Sequence, residues 1–260
     1  DPTGRETWNS FTWKEYYDCC RTAAQAFIAL GMEPMDGVTI FGFNSRQWFV
    51  SEVAAIFAGG VAAGIYPSDT PAQFRFKLEH SGSSMLMMES AKHLKDNFDT
   101  IVNGKKVKAV VVWSATEDEL EDYASRSNVK VLTWEQFLKV GSDANNSKAL
   151  DERIFAQKPG SVCAYIYTSG TTGNPKAVMI THDNIIYEST CALLHLQEHQ
   201  GVGRDACEER ILSYLPLSHV AGMMVDIVMP AVATNLGPAW MIAHFARAYD
   251  LKKGTIGGRL

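Results

Sequence analysis

Residues 164–180 read AYIYTSGTTGNPKAVMI, and this stretch decides the interpretation of the chain. It opens with an apolar, β-rich run at 164–168 and closes with a second apolar run at 177–180. Between them, from Thr168 to Lys176, lie four hydroxyl side chains, two glycines and a lysine. The pattern predicts two strands joined by a glycine-rich polar loop.

The composition of this loop suits a polyphosphate ligand. Glycine permits close backbone approach, so that successive N–H groups can converge on an anion. The hydroxyls add donors and Lys176 adds a point charge. The predicted phosphate-binding residues are Thr168, Ser169, Gly170, Thr171, Thr172, Gly173 and Lys176.

Better-known phosphate and nucleophile motifs do not fit the loop. A Walker A motif needs Gly-Lys followed by Ser or Thr, whereas Asn174 and Pro175 separate Gly173 from Lys176 here. The two glycines are too few for a dinucleotide fingerprint, and Tyr167 occupies the first glycine position of a nucleophile elbow. The alternative is a glycine-rich hairpin with solvated hydroxyls.

Outside the loop, apolar β-rich runs alternate with helical patterns along the chain. This alternation predicts an α/β fold with parallel or mixed sheets covered by helices. Capping boxes at 12–15, 70–73 and 133–136 each predict a helix start. We expect strands at 38–43, 61–66, 85–88, 107–113, 129–132, 164–168, 177–180 and 211–215, a helix at 184–200, and an apolar helical region from about 219. A polar loop is predicted at 141–149, with a subdomain boundary near it.

Bulk properties exclude several classes of protein. A net charge of −5 argues against nucleic acid as a partner, because proteins that bind polyanions are usually basic. Five scattered cysteines without C-x-x-C spacing indicate free thiols and predict neither a disulfide frame nor a metal site. The most apolar stretch, 220–233, is interrupted by Asp226 and Pro230 and is shorter than the roughly 20 residues of a membrane span. We expect a cytoplasmic protein with peripheral contact to the endoplasmic reticulum or another intracellular membrane.

Four segments resemble, in order, the motifs of the adenylate-forming (AMP-binding) superfamily, which includes acyl-CoA synthetases, luciferases and peptide-synthetase adenylation domains. They are FGFNS at 41–45 with Trp48, AGGVAAGIY at 58–66, the loop at 167–176, and YLPLSHVA at 214–221. Asn44, Ser45 and Trp48, with GIY at 64–66, are most similar to the bubblegum branch of long-chain acyl-CoA synthetases. Together with residues 8–31, the likeness covers most of 8–222.

The resemblance implies a two-step ligase reaction. A fatty acid attacks the α-phosphorus of ATP to give acyl-AMP and pyrophosphate, and the thiol of coenzyme A then takes the acyl group. Loop residues 168–173 and Lys176 would hold the ATP phosphates, with Mg²⁺ bridging them, and positioning and electrostatics would supply the catalysis. His219 would lie near the acyl and adenylate groups; the alternative is a polar residue packed at a helix start.

The chain also departs from the family pattern. Ala177 replaces a usual glycine, which would strain the backbone if that position required a positive φ. Gln47 stands where these synthetases often carry Glu. The family's downstream motifs and C-terminal domain are absent from these 260 residues. We therefore expect 1–260 to be an incomplete N-terminal AMP-binding domain that cannot complete either half-reaction efficiently.

Three alternative functions stay open at this point. HLQEH at 195–199 fits the inverted zinc-peptidase motif, in which His195 and His199 would share one helix face and bind Zn²⁺. A non-catalytic nucleotide-binding relic or pseudoenzyme would be consistent with Ala177 and the short chain. A hydrolase with Ser169 as nucleophile lacks an identifiable histidine base.

Overall fold

A computed structural model of the chain describes residues 10–104, 106–168, 174–202 and 205–246. Its main feature is a seven-stranded sheet with the strand order β5-β4-β3-β1-β2-β6-β7. The strands of this sheet are β1 (Gly37–Phe41), β2 (Val61–Ile65), β3 (Ser83–Met88), β4 (Ala109–Val112), β5 (Lys130–Thr133), β6 (Val162–Thr168) and β7 (Lys176–Thr181). Strands β1 to β6 pair in parallel, and β7 is antiparallel to β6. The predicted α/β class is confirmed.

Helices cover both faces of this sheet and continue beyond it. They are α1 (Trp13–Ala29), α2 (Arg46–Phe57), α3 (Pro71–His80), α4 (Ala91–Val102), α5 (Glu117–Ser125), α6 (Trp134–Asp143), α7 (Ser147–Ala156), α8 (His182–Gln200), α9 (Val220–Gly222) and α10 (Met229–Leu236). A π-helical segment, Met223–Val228, joins α9 to α10. A separate parallel pair is formed by β8 (Glu208–Ser213) and β9 (Trp240–Phe245).

The two faces of the sheet follow from the handedness of its connections. The chain moves from β1 to β2 through α2, then reverses direction and reaches β3, β4 and β5 through α3, α4 and α5. Right-handed crossovers in opposite directions must lie on opposite faces. Accordingly, Trp48 of α2 shares one core cluster with Ile40, whereas Phe74 of α3 shares the other with Phe41. The two neighbours in β1 point to opposite faces because side chains alternate along a strand.

The predicted helix starts are confirmed in atomic detail. The side chains of Thr12, Thr70 and Thr133 each accept a hydrogen bond from the backbone N–H three residues on. The side-chain oxygen at that position in turn accepts one from the threonine backbone N–H. Pro71 is the first residue of α3, where a missing N–H costs nothing. The local sequence was sufficient to predict these helix starts because all hydrogen bonds of a capping box lie within four residues.

The predicted polar loop at 141–149 is wrong. Helix α6 ends at Asp143 and α7 begins at Ser147, which leaves only residues 144–146 between them. A Cβ atom on Gly141 would lie 2.0 Å from the Thr22 carbonyl oxygen, so glycine is needed for the contact between α6 and α1. Leu150 of α7 is fully buried in the same core. These contacts keep a polar stretch helical, and the subdomain boundary near it stays a prediction.

The last described part of the chain differs from the expected helical region. The strand expected at 211–215 is β8, which begins at Glu208 and ends at Ser213 because it pairs with β9 along that range. The sequence analysis did not predict β9. None of the helices in the described ranges combines the length and apolar character that a membrane crossing requires.

Candidate functional site

The four predicted segments meet at the carboxyl edge of the parallel strands. Residues 42–45 follow β1, residue 66 follows β2, and Thr168 ends β6. Parallel strands finish at the same edge of a sheet, which is where ligands bind in open α/β folds. The fourth segment, 214–221, is held over this edge by contacts with Asn44 and Gly64. Segments far apart in sequence thus form one candidate site.

The two ends of the glycine-rich loop face each other across a strand pair. Thr168, the last residue of β6, pairs directly with Lys176, the first residue of β7, and both are exposed. Ser169, Gly170, Thr171, Thr172 and Gly173 lie outside the described residues, as does the nucleophile of the hydrolase alternative, Ser169. The prediction of a strand, a loop and a second strand is confirmed at both ends.

The backbone strain considered for Ala177 does not arise. Ala177 lies in β7 opposite Tyr167, and Met35 is the non-glycine residue with a positive φ in the described ranges. An alanine fits such extended backbone without penalty. The other departure, Gln47, lies in the first turn of α2. Its backbone carbonyl oxygen accepts a hydrogen bond from the Ser51 hydroxyl at 2.7 Å.

Asn44 fixes the segment that leads to His219. Its amide nitrogen donates to the Ser213 hydroxyl at 2.9 Å and to the Leu215 carbonyl oxygen at 2.7 Å. Its amide oxygen accepts the Leu217 N–H at 3.2 Å. Asn44 is 7% exposed, so these bonds are shielded from water. The Asn44 side chain, just after β1, therefore makes three hydrogen bonds to the end of β8 and the turn that follows it, about 170 residues later in the chain.

Gly64 allows the same segment to lie directly on β2. A Cβ atom at this position would lie 2.7 Å from the Ser218 Cα and 3.3 Å from the Trp48 ring. The first distance is to backbone, which cannot rotate away, so the absence of a side chain is required for this approach. The glycine of the GIY sequence at 64–66, one of the motifs that resemble the family, is therefore required by packing.

His219 stands at the start of α9 and is exposed. Its Nδ1 accepts the Ala221 N–H at 3.1 Å, so the neutral ring carries its proton on Nε2. Nδ1 therefore caps the start of α9, while the placement of His219 near the acyl and adenylate groups stays a prediction.

The crevice between β1 and β3, where the strand order reverses, is filled. A Cβ atom on Gly42 would lie 2.5 Å from the Trp113 ring and 2.6 Å from the Glu89 Cβ. A carboxylate oxygen of Glu89 accepts the Phe43 N–H at 2.9 Å. Ligands often bind at such a switch point in doubly wound sheets. Here Trp113 and Glu89 occupy it.

Two buried acids near the site escaped the sequence analysis. Glu52 of α2 and Asp226 of the π-helical segment are 4% and 2% exposed. Burial raises the pKa of Glu52 to about 8 and the pKa of Asp226 to about 6. Glu52 falls four residues after Trp48, inside the apolar stripe of α2, and this misplaced polar residue was the available signal.

The space beside Glu52 within the described part of the chain is too small for a ligand. The space between Glu52, Trp48, Leu217 and Met223 measures about 10 Å³, about the room one water molecule needs. The acid thus belongs to the support beneath segment 214–221.

The zinc-peptidase alternative finds no third metal ligand among the residues that the structure describes. His195 and His199 are one turn apart on α8, with ring centroids 4.4 Å apart. Across the described ranges, no group of three or more His, Cys, Asp or Glu side chains is placed to hold a metal ion. A peptidase zinc site needs three protein ligands.

The fold and the arrangement of this edge define an adenylate-forming type of domain, and comparison with known proteins agrees. The family model of the AMP-binding enzyme matches residues 3–244, and the chain belongs to that family. The resemblance inferred from the motifs is confirmed.

Curated relatives narrow the likeness to acyl-CoA ligases. The chain is 39% identical over 224 residues to the long-chain-fatty-acid–CoA ligase ACSBG2 of Xenopus laevis, covering 85% of this chain and 29% of the relative. It is 33% identical over 227 residues to ACSBG1 of Homo sapiens, covering 86% and 29%. The chain thus spans about three-tenths of the length of these relatives.

Solved structures support the fold alone. The carboxylic acid reductase A-PCP didomain from Segniliparus rugosus, in complex with AMP, matches with a TM-score of 0.67 at 18% identity, covering 91% of this chain and 33% of that one. The o-succinylbenzoate CoA synthetase of Bacillus subtilis, in complex with an acyl-adenylate, gives a TM-score of 0.60 at 18% identity, covering 96% and 54%.

Proposed function

We propose that the full-length protein is a long-chain fatty acid–CoA ligase. It joins a fatty acid to ATP, releasing pyrophosphate and forming acyl-AMP, and then transfers the acyl group to the thiol of coenzyme A with release of AMP. The observation that carries the proposal is the placement of Thr168 and Lys176 at the sheet edge over which segment 214–221 is held. Family membership and the ligase names of the relatives support it.

In this proposal the loop residues bind the triphosphate. Lys176 contributes a charge, and Thr168, Ser169, Thr171 and Thr172 contribute hydroxyl donors. This donor set fits an anion better than a bare cation. Mg²⁺ would therefore arrive on the ATP phosphates, where it neutralises charge, and the loop would orient the nucleotide.

His219 would act on the other side of the reacting centre. Its exposed Nε2–H is suited to donate a hydrogen bond to the carboxylate or to the oxygen that gains charge as the α-phosphorus is attacked. Asn44 and Gly64 position this histidine through residues 215–218.

The proposed location is cytoplasmic, with peripheral contact to the endoplasmic reticulum or another intracellular membrane. All five cysteines are free thiols in the structure, which is compatible with a reducing compartment. The fatty acid substrate supports contact with a membrane surface, where such acids partition.

A pseudoenzyme is the second candidate, and its structural support is reduced. The backbone strain that Ala177 would have introduced is absent, because the residue lies in ordinary strand conformation. That residues 1–260 alone complete neither half-reaction efficiently stays a prediction.

The deciding experiment measures pyrophosphate release from ATP by the full-length protein across fatty acids of increasing length, with and without coenzyme A. Acid-dependent release, with acyl-CoA formed when the thiol is present, would support the ligase and identify the preferred chain length. Nucleotide binding without release for any acid would favour the pseudoenzyme.

A further inference from the structure

A buried ion pair lies close to Tyr167, the residue before the glycine-rich loop. Lys77 of α3 and Asp69, in the turn after β2, form a salt bridge whose side chains are 4% and 9% exposed. The same carboxylate accepts the Tyr66 N–H at 3.2 Å and so fixes the turn that leaves the sheet. A lysine inside a helix is rarely buried unless paired.

Two aromatic rings surround the buried ammonium group. The Lys77 Nζ lies 5.2 Å from the ring centroid of Tyr66 and 5.4 Å from that of Tyr167. A cation within about 6 Å of a ring face is attracted to it, more strongly away from water. Lys77 thus links the end of β2 to the end of β6, the neighbouring strand in the sheet.

The Tyr167 hydroxyl adds a second link. It donates to the Lys77 carbonyl oxygen at 3.2 Å and lies 3.2 Å from Nδ1 of His80, in the last turn of α3. Tyr167 is 3% exposed, and its ring meets His80 edge-on at 5.9 Å between centroids. The side chain is therefore held at its ring and at its hydroxyl.

Tyr167 matters for the loop because it immediately precedes the residue that opens it. That residue, Thr168, pairs with Lys176 at the two ends of the loop. Thr168 and Lys176 are exposed, and β7 has no buried residue, so little apolar packing fixes this pair. Tyr167 is the buried anchor immediately beside them.

We propose that Tyr66, Asp69, Lys77, His80 and Tyr167 form a positioning cluster that sets Thr168 opposite Lys176 and thereby tunes the affinity for ATP. Buried ion pairs add little net stability compared with apolar packing, so the pair is better explained by the geometry it imposes. None of these residues contacts the reacting atoms in this scheme. The inference rests on the proposed function only in naming ATP as the ligand.

The test compares Tyr167→Phe with the matched control Tyr165→Phe, from the same strand, in the full-length protein. Tyr167→Phe keeps the ring and removes the hydroxyl. We expect the KM for ATP in pyrophosphate release to rise about 5- to 10-fold, the scale of one neutral hydrogen bond, with the KM for fatty acid and the thermal midpoint close to those of the control. An unchanged KM for ATP, or equal rises for both substrates, would overturn the proposal.

A double variant, Lys77→Met with Asp69→Asn, removes both charges and keeps side chains of similar size. We expect it to fold and to bind ATP several-fold more weakly, because Tyr167 loses its cation contact. Unchanged ATP affinity would overturn the role of the ion pair.

Direct titration with ATP in the absence of fatty acid separates this inference from the ligase proposal. If the wild-type protein binds ATP without catalysing release, and Tyr167→Phe binds it more weakly, the cluster is supported although the proposed reaction fails. A wild-type protein that does not bind ATP overturns both.

Discussion

The centre of the sheet and its β7 edge are built differently. Every residue of β1 and β3 is buried, whereas no residue of β7 is, and Val178 and Met179 are 45% and 64% exposed. Yet the predicted phosphate-binding Lys176 lies on β7. Apolar packing therefore builds the support, and a few polar or steric contacts place the predicted functional groups on it.

The predicted functional residues differ in the number of contacts that fix their position. Lys176 is tied to the sheet through its pairing with Thr168, whereas segment 214–221 depends on Asn44 and on the space over Gly64. Variants at these positions should therefore separate loss of function from loss of stability.

The largest effect is expected for Lys176→Ala. It removes the loop's cation and should lower the kcat/KM for pyrophosphate release by about 10²- to 10³-fold, as loss of one preorganised electrostatic contact does elsewhere. The thermal midpoint should stay close to wild type because the side chain is exposed. Lys158→Ala, an exposed lysine just before β6, is the matched control, and equal activity of the two variants would contradict the assignment.

Asn44→Ala should cost both stability and activity. The change leaves the buried Leu217 N–H and the Ser213 and Leu215 oxygens without their amide partner, which we expect to lower the free energy of unfolding by about 3 kcal/mol. Denaturant titration measures it, with the exposed Asn235→Ala as control. A loss below about 0.5 kcal/mol, the usual surface value, would show that the segment is held by other contacts.

Gly64→Ala tests the steric half of the same arrangement. The added methyl group meets the Ser218 backbone, and the shift it forces should cost about 2 kcal/mol and reduce activity through His219. Gly160→Ala is the matched control, because a Cβ atom there meets nothing within 4 Å. Activity retained in full by Gly64→Ala would mean that segment 214–221 can move without consequence.

The smallest effect is expected for Glu52→Gln, and it should depend on pH. The unfolded chain loses this proton near the ordinary value of 4.5, whereas the folded protein keeps it until about pH 8. The native state therefore binds more protons over this interval, and stability falls as the pH rises through it. The amide cannot ionise, which removes a penalty of several kcal/mol at pH 8, but burying it costs a large part of that gain. The variant should therefore be more stable than wild type by about 1 kcal/mol at pH 8 and should show a flatter pH profile.

Thermal midpoints measured from pH 5 to pH 8.5 would show this difference, with the exposed Glu135→Gln as control. Parallel profiles for Glu52→Gln and wild type would contradict the raised pKa of Glu52.

Much of the fold could be predicted because its determinants are local. The three threonine capping boxes and the strand ends around the loop depend on residues within a few positions of each other. The prediction of a loop at 141–149 was wrong because its determinants are not local. Its polar composition suggests a break, but contact of Gly141 with α1 and burial of Leu150 favour helix, and neither is visible locally.

The candidate site likewise has features that depend on local sequence and features that depend on long-range contacts. By itself, the sequence determined the class of the sheet, the helix starts and the resemblance to AMP-binding enzymes, because each depends on residue type and short spacing. The same kind of signal predicts the anion-binding loop. Only the tertiary structure decided that Asn44 and Gly64 carry segment 214–221, that Trp113 fills the switch-point crevice, and that Lys77 and Asp69 pair under Tyr167. Those contacts join residues far apart along the chain, and the strand order alone brings them together.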